Sequence, residues 1–479
     1  MKKKLLSLLL FLFALGINAQ VINIPDTNFK NKLLQSGISS YAIARDAADN
    51  AIVVDINNDG EIQQSEADNI YMLRIQASNN IMSLEGITSF TNLQYIGVHG
   101  NPVTAIDFSG LANLNEIRLT QNYYLSSLNF TGLDNIEKIF LHDSDVTNLD
   151  LSMCTTLKSL GVYVSPLGTI DLSALTSLQD LTLGYNGLLS IDLSALSTLT
   201  SLAIYENSLT FLDVSNNLQL TELVCFDNAI TSINVANNNI LEEIVLTNNQ
   251  VSSFDFSLCP NLKYIGCENN LLTSVDLSNL AFLEGFRGNN NPIDEFDFSN
   301  NPLLTFVDVS YTDITTLDLR YQQIIELSLT GCANLETLLI HNNSYEFYGE
   351  SEYHMGGLES LNSICCDEEE EDDVINIFSN LGYSDVVYST DCEVGTASSA
   401  GLVLNELTVY PNPANNIVQL KSADLISSVC LYDMQGRMLI NKPVNDFSGT
   451  IALSQYPAGM YFLEVSSGKN KSTKKIIKN

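Results

Sequence analysis

Between residues 92 and 322 apolar residues recur with a period of 21, broken once by a 22-residue unit. Two clear copies are TLTSLAIYENSLTFLDVSNNL (198–218) and NLKYIGCENNLLTSVDLSNLA (261–281). The shared pattern is LxxLxLxxNxLxxLDLSxxx, apolar at repeat positions 2, 5, 7, 12, 15 and 17, with Asn at position 10. Alternation within each half predicts a short strand, because strand side chains point to opposite faces in turn, and neither half has a helical period. A fixed period of this length marks a solenoid whose turns bury their apolar faces against one another. Eleven units start at Asn92, flanked by degenerate turns at 71–91 and 323–345. Stacked at about 4.8 Å, they would make a body about 50 Å long.

This pattern resembles the leucine-rich repeat, most closely the irregular 21-residue bacterial class whose two halves both look like LxxLxL. The resemblance implies a β-rich leucine-rich-repeat solenoid of the α/β-horseshoe superfamily, with short parallel strands on both faces. Position 10 (Asn101, Asn186, Asn207, Asn228, Asn249, Asn270, Asn291) falls where the chain turns. An amide there is expected to bond backbone groups.

Position 16 is acidic in nine units (Asp107, Asp150, Asp171, Asp192, Asp213, Asp255, Asp276, Asp297 and Asp318), with Asn129 and Asn234 in the other two. Carboxylates one strand spacing apart repel by roughly 0.9 kcal/mol per pair in water and about 3.5 at an effective dielectric of 20. Hydrogen bonds, protonation or cations must relieve such a ladder. Ser at position 18, two residues on, is a candidate donor, and some raised Asp pKa values are expected.

Positions 4, 6, 8 and 9 face outward on the other sheet. They carry aromatic residues, among them Tyr163, Tyr185, Tyr205, Phe226 and Tyr264, beside acids such as Glu206, Glu222, Asp227 and Glu243. An exposed aromatic stripe suits recognition, since Tyr offers contact area and a polar handle. The same rings also fit cross-strand stacks that support β structure.

Before the repeats, residues 20–70 read as an N-terminal cap, with a helix at Thr27–Gln35. DINNDGEIQQSE places Asp55, Asn57, Asp59, the Glu61 carbonyl and Glu66 at EF-hand spacing, with Gly60 at the bend and Gln63 at the water-bridged place. Hard oxygen donors so spaced wrap Ca²⁺, with modest affinity expected for an extracellular module. YAIARDAADNAIVV is a poor entering helix. This region resembles the N-terminal cap of flavobacterial leucine-rich-repeat proteins. After the repeats, 346–395 reads as strand, acidic helix start, helix Val374–Leu381 and strand. Either Cys365 or Cys366 can bridge Cys392, with Cys366–Cys392 taken as the candidate disulfide closing this cap. Cys225 and Cys267 fall in the buried column at position 7.

The ends differ in kind. Residues 1–19 have a basic start and a short apolar run, as in a signal peptide. Residues 396–401 read as a linker, and 402–479 as six or seven short strands of a small all-β sandwich. The blocks Tyr410-Pro411-Asn412-Pro413, Leu431–Arg437 with Gly436, Pro457–Phe462 with Gly459, and the Lys474–Lys478 end resemble the type A C-terminal sorting domain of Bacteroidetes type IX secretion. That resemblance implies contact with the secretion machinery, crossing of the outer membrane, removal of the domain, and display at the cell surface. No later stretch is long and apolar enough to span a bilayer, so no transmembrane segment is expected in the mature chain.

The formal charge is −35, from 21 Lys plus Arg against 56 Asp plus Glu. Residues 1–20 carry three basic residues and no acid, and 402–479 eight basic and five acidic, which leaves 10 basic and 51 acidic, or −41, in 21–401. Such a balance argues against nucleic acid, whose affinity comes from Lys and Arg. No Ser-His-Asp arrangement, phosphate loop, HExxH or CxxC pair occurs, so enzymatic chemistry is not expected. The reading that results is a secreted, surface-displayed protein mediating adhesion or protein–protein interaction through the repeat sheet. The alternatives are a glycan-capturing accessory protein and a structural surface or biofilm component.

Overall fold

The first half of each repeat builds one continuous sheet in the computed structural model, which describes residues 20–37, 43–77, 80–344, 354–390, 392, 407–433, 437–467 and 470–479. Fourteen strands, from Ala44–Arg45 to Glu326–Ser328, lie side by side, all parallel except the first. The register sets each position beside its counterpart one turn on: Ser201 pairs with Glu222, and Glu222 with Glu243. Glu116 pairs with Lys138, the 22-residue step, and its extra residue leaves Tyr123 and Tyr124 exposed. The final step is 20, Phe306 pairing with Glu326, where the sequence pattern had already become degenerate.

Inside, the six apolar columns are buried as the period requires. In one turn Leu199, Leu202, Ile204, Leu209, Leu212 and Val214 are each 0–1% exposed. Position 20 forms a seventh buried column that the apolar pattern does not reveal, because Leu196 and Leu280 alternate there with fully buried Asn217, Asn238 and Asn301. The Asn217 amide donates to the carbonyls of Leu193 and Leu196.

The second side differs from the expected full sheet. Strand pairing occurs at Ala105–Asp107 with Ser127–Asn129, at Phe211–Asp213 with Ser232–Asn234, and from Thr316–Asp318 through Thr337–Leu339 and Ser363–Cys365 to Val387–Ser389. Elsewhere among the described residues that side forms no ladder, and at Phe256–Leu258 it makes a 3-10 turn. In paired and unpaired turns alike the carboxylate at position 16 accepts from the N–H two residues on, as Asp213 does from Ser215 and Asp192 from Ser194, both at 2.9 Å. The stack also runs past residue 345, since the Leu329 and Gly331 N–H groups donate to the His354 and Gly356 carbonyls.

Both caps seal the core. At the start, helix Thr27–Leu34 buries Phe29 and Leu33. Its N-cap Asp26 accepts from Asn28 and Phe29 with one oxygen and from Met82 and Ser83 with the other, tying the helix to the first turn. At the end, helix Glu371–Asn380 opens with Glu371, Asp372 and Asp373, acids that favour a helix N-terminus, and buries Val374 and Phe378. The cap disulfide is Cys365–Cys392, not Cys366–Cys392. Strand alternation explains the correction. Cys366, fully buried, pairs in phase with the core column, so Cys365 is the neighbour turned toward Cys392. Cys225 and Cys267 are core thiols, and burial pushes Cys225 up to about 12.

Among the described residues the C-terminal unit is one antiparallel sheet of five strands, against the six or seven expected for 402–479. Ile417–Tyr432 and Met438–Ala452 run as long strands because register shifts let them bend without breaking. Ala414 N–H bonds Ile477 and Asn479 N–H bonds Ala414, which draws the sheet's two ends together into a nearly closed form. Its own core includes Val418, Leu420, Val429, Leu431, Leu463 and Val465.

Candidate functional site

The outward face of the first sheet holds an aromatic row at position 8. Tyr205 and Phe226, on adjacent turns, stack with centroids 4.6 Å apart and planes 8° apart. Tyr163 meets Tyr205 at 6.1 Å although a whole turn lies between them, and His142 meets Tyr163 at 5.6 Å. Gly184 occupies the intervening place, where a Cβ would lie 2.8 Å from the Tyr205 ring and 3.2 Å from Tyr163. Burial and a hydrogen bond with Tyr163 hold the Tyr205 phenol well above its ordinary range.

Position 9, beside the row, adopts the left-handed conformation in every turn from Gly100 (φ 62) to Tyr311 (φ 55). Gly100, Asn248, Asn269 and Asn290 are residues that tolerate it, a column signal present in the sequence but masked by Val164, Tyr185 and Tyr311. Tyr185, 53% exposed, stands on this corner and donates to Glu206 at 2.6 Å. Asn248 donates to Asp227 at 2.7 Å. Across the row at position 4, Ser201 donates to Glu222 at 2.9 Å, and burial followed by repulsion from Glu222 raises the Glu243 carboxyl.

The predicted stripe is therefore brought together in part. Tyr163, Tyr205 and Phe226 join a contacting row and Tyr185 sits at its margin. Tyr264 does not: it stands at position 4, over Gly285, donating to Glu284 at 3.0 Å. His142 belongs to the row and was not singled out by the aromatic pattern. Elsewhere on the sheet rings lie under guanidinium groups instead, Arg118 over Phe140 at 4.5 Å and Arg287 over Phe306 at 4.9 Å.

The position 10 amides do bond the turning backbone. Asn207 accepts from the Asn186 and Leu188 N–H groups and donates to the Leu183 and Tyr205 carbonyls. On the second side the expected upward pKa shifts are not found. Asp150, Asp171, Asp192, Asp213 and Asp276 are all held below their ordinary value, first by the Ser hydroxyl two residues on and then by that residue's N–H. Local donors outweigh repulsion through solvent.

In the EF-hand-like loop, Gly60 (φ 80) makes the bend, and Ile62 pairs with the chain start through Ile22 N–H. Asp55 accepts from the Asp59 and Gly60 N–H groups, and Asp59 from the Glu61 N–H and the Gln63 amide. Glu66 accepts from Ile56 and Gln63 N–H groups and caps the short helix Gln64–Ala67. The Glu61 side chain pairs with Lys30 at 2.7 Å. Asp55, Asn57, Asp59, the Glu61 carbonyl and Glu66 supply the oxygen donors that a hard cation takes, and every side chain among them is engaged in loop hydrogen bonds. Among the described residues no three His, Cys, Asp or Glu side chains converge as a metal-binding group.

In the C-terminal unit Tyr410 ends strand Thr408–Tyr410 and is exposed, with Pro411-Asn412-Pro413 following. Asn412 clamps the last strand, donating to the Lys475 carbonyl at 2.7 Å and accepting from Ile477 N–H at 2.8 Å. Gly459 opens strand Gly459–Ser467. Gly436, the expected signal peptide and the linker lie outside the described residues.

Comparison with known proteins fits these two units. Residues 408–479 match the family described as secretion system C-terminal sorting domain. The tail is a type IX sorting domain, and it directs the chain to the outer-membrane surface. The functional domain of InlJ from Listeria monocytogenes, described as including a cysteine ladder, aligns over 96% of this chain and 98% of its own, with a TM-score of 0.51 and 19% identity. A leucine-rich-repeat protein of Leptospira interrogans aligns over 68% of this chain and 97% of its own, with a TM-score of 0.47 and 18% identity. The repeat unit has the leucine-rich-repeat fold. No curated protein sequence matches the chain. Among the described residues no helix is long and apolar enough to cross a membrane.

Proposed function

We propose that this is a surface-displayed binding protein whose aromatic row engages another protein at a cell surface, as in adhesion. The observation that carries the reading is the contiguous Tyr163, Tyr205 and Phe226 contact on an outward sheet face. Half-buried rings of this kind keep one surface for a partner and lose little conformational freedom on contact. The sorting domain supports the location and is removed after export in this reading. The EF-hand-like loop holds Ca²⁺, which would rigidify the cap.

The test is capture of surface proteins from neighbouring cells by the full chain and by a Tyr163→Ser, Tyr205→Ser, Phe226→Ser variant. The expected result is loss of capture with an unchanged circular dichroism spectrum. Retained capture would reject the site. Capture that instead requires oligosaccharide on a glycan array would favour the accessory-protein alternative.

A further inference from the structure

One stretch of the solenoid is without positive charge. Residues 159–262 contain no Lys, Arg or His, yet they hold Asp171, Asp180, Asp192, Glu206, Asp213, Glu222, Asp227, Glu242, Glu243 and Asp255. This stretch carries most of the aromatic row. Its boundary cations are taken: Lys158 pairs with Glu137 at 2.6 Å and Lys263 with Glu242 at 2.7 Å.

The carboxylates flanking the rings find neutral donors only. Glu206 accepts from a phenol, Asp227 from an amide and Glu222 from a hydroxyl. Among the described residues none of Glu206, Glu222, Asp227 and Glu243 forms an ion pair. Positions 4 and 9 thus line both sides of the row with unpaired negative charge, while position 6 between them is small or apolar at Thr182, Ala203, Val224 and Val245. Elsewhere on the same sheet the molecule does place guanidinium groups over rings, at Phe140 and Phe306. Along the row from Tyr163 to Phe226 it supplies none of its own.

Resting on the reading that this face binds a protein, we infer that its partner presents an extended segment with Arg or Lys at alternate positions, laid along the row from Tyr163 to Phe226. Those two residues are three turns apart, about 14 Å at roughly 4.8 Å per turn. Alternate side chains of an extended chain recur every ~6.7 Å, so three cations span the row. Each meets the rings or a carboxylate from positions 4 or 9, so that quadrupole and charge act together along the row. The half-buried Glu243 carboxyl, raised by burial and by Glu222, is a group that gains from an arriving cation.

The experiment uses the full chain and a labelled peptide of alternating Ser and Arg, read by fluorescence anisotropy, beside its Gln and Glu counterparts and a neutral oligosaccharide panel. The expected result is binding of the Arg peptide, weakening with added salt, and none of the others. Two variant sets are compared: Tyr205→Ser with Phe226→Ser, and Glu206→Gln, Glu222→Gln with Asp227→Asn. The second set leaves the ring stack intact, so a folding defect in the first does not blunt the test. Each set should weaken the Arg peptide at least tenfold. Equal binding of the Gln peptide, no binding of the Arg peptide, or indifference to the amide set would overturn the inference. If the serine variant loses capture of surface proteins while the amide set keeps it, the binding face stands and its cationic partner falls. If the serine variant keeps capture, both fall.

Discussion

Tyr163 and Tyr205 belong to turns that are not neighbours, yet their rings touch, because Gly184 leaves the space between them empty. A methyl group there would press on both rings. Gly184→Ala is therefore expected to part them while the fold persists. Spectrophotometric phenol titration should show the Tyr205 value falling toward its ordinary 10.0, since burial and the Tyr163 hydrogen bond both weaken. An unchanged titration would mean that the contact does not depend on the glycine.

The Asp column on the second side sets an acid limit. In Asp192 the Ser194 hydroxyl, then its N–H, holds the carboxyl below the ordinary 3.8, so the folded state favours the ionised form. Stabilisation of that sign is complete above the ordinary value and is lost as pH falls through the lower folded one. The thermal midpoint should be flat near neutrality and decline below about pH 4, where free Asp titrates. Ser194→Ala should raise the Asp192 value in a carboxyl NMR titration. A value that stays put would assign the shift to something other than serine.

Two asparagine columns make predictions of different size. Asn207 joins four backbone groups in the turn, so Asn207→Ala should cost about 3 kcal/mol by leaving buried partners unmatched. Asn217 has a side-chain oxygen without a partner among the described residues, and Leu196 and Leu280 fill the same column. Asn217→Leu should cost less, about 1 kcal/mol, because it strands only the Leu193 and Leu196 carbonyls while an apolar group of similar size fills the place. Denaturant unfolding measures both. Equal losses would show that the columns do not differ as their bonding implies.

For the proposed Ca²⁺ loop, calorimetry of the full chain should give a dissociation constant of roughly 10⁻⁴ to 10⁻³ M, as in extracellular modules. At tenfold excess over that constant the ion would stabilise the cap by about 1.4 kcal/mol. Asp59→Asn removes a charged donor at an exposed place and should abolish the heat. No heat in the unaltered chain would remove the ion from this account.

Much of this architecture is legible in the chain because a solenoid writes its core as a period. Leu199, Leu202 and Ile204 announce a strand, and the same spacing one turn later announces its neighbour. What stayed hidden follows from side chains that break the apolar code. Asn217 is buried without being apolar. Tyr185 sits at a left-handed corner that its identity does not suggest. The second side looks like a strand from Leu212 and Val214, and Phe211–Asp213 does pair there, but most described turns of that side carry no ladder. Whether Cys365 or Cys366 met Cys392 turned on one residue of phase, which composition alone does not carry.

The register that sets every position beside its own copy makes face length a heritable variable. Duplicating one turn would insert a further ring position, another left-handed corner and another outward carboxylate, each in line with those before it. The new turn would need no adjustment of its neighbours, because it meets the same surfaces they already meet. A lineage could therefore match longer or shorter partners by gaining or losing whole turns, lengthening its grip about 4.8 Å at a time.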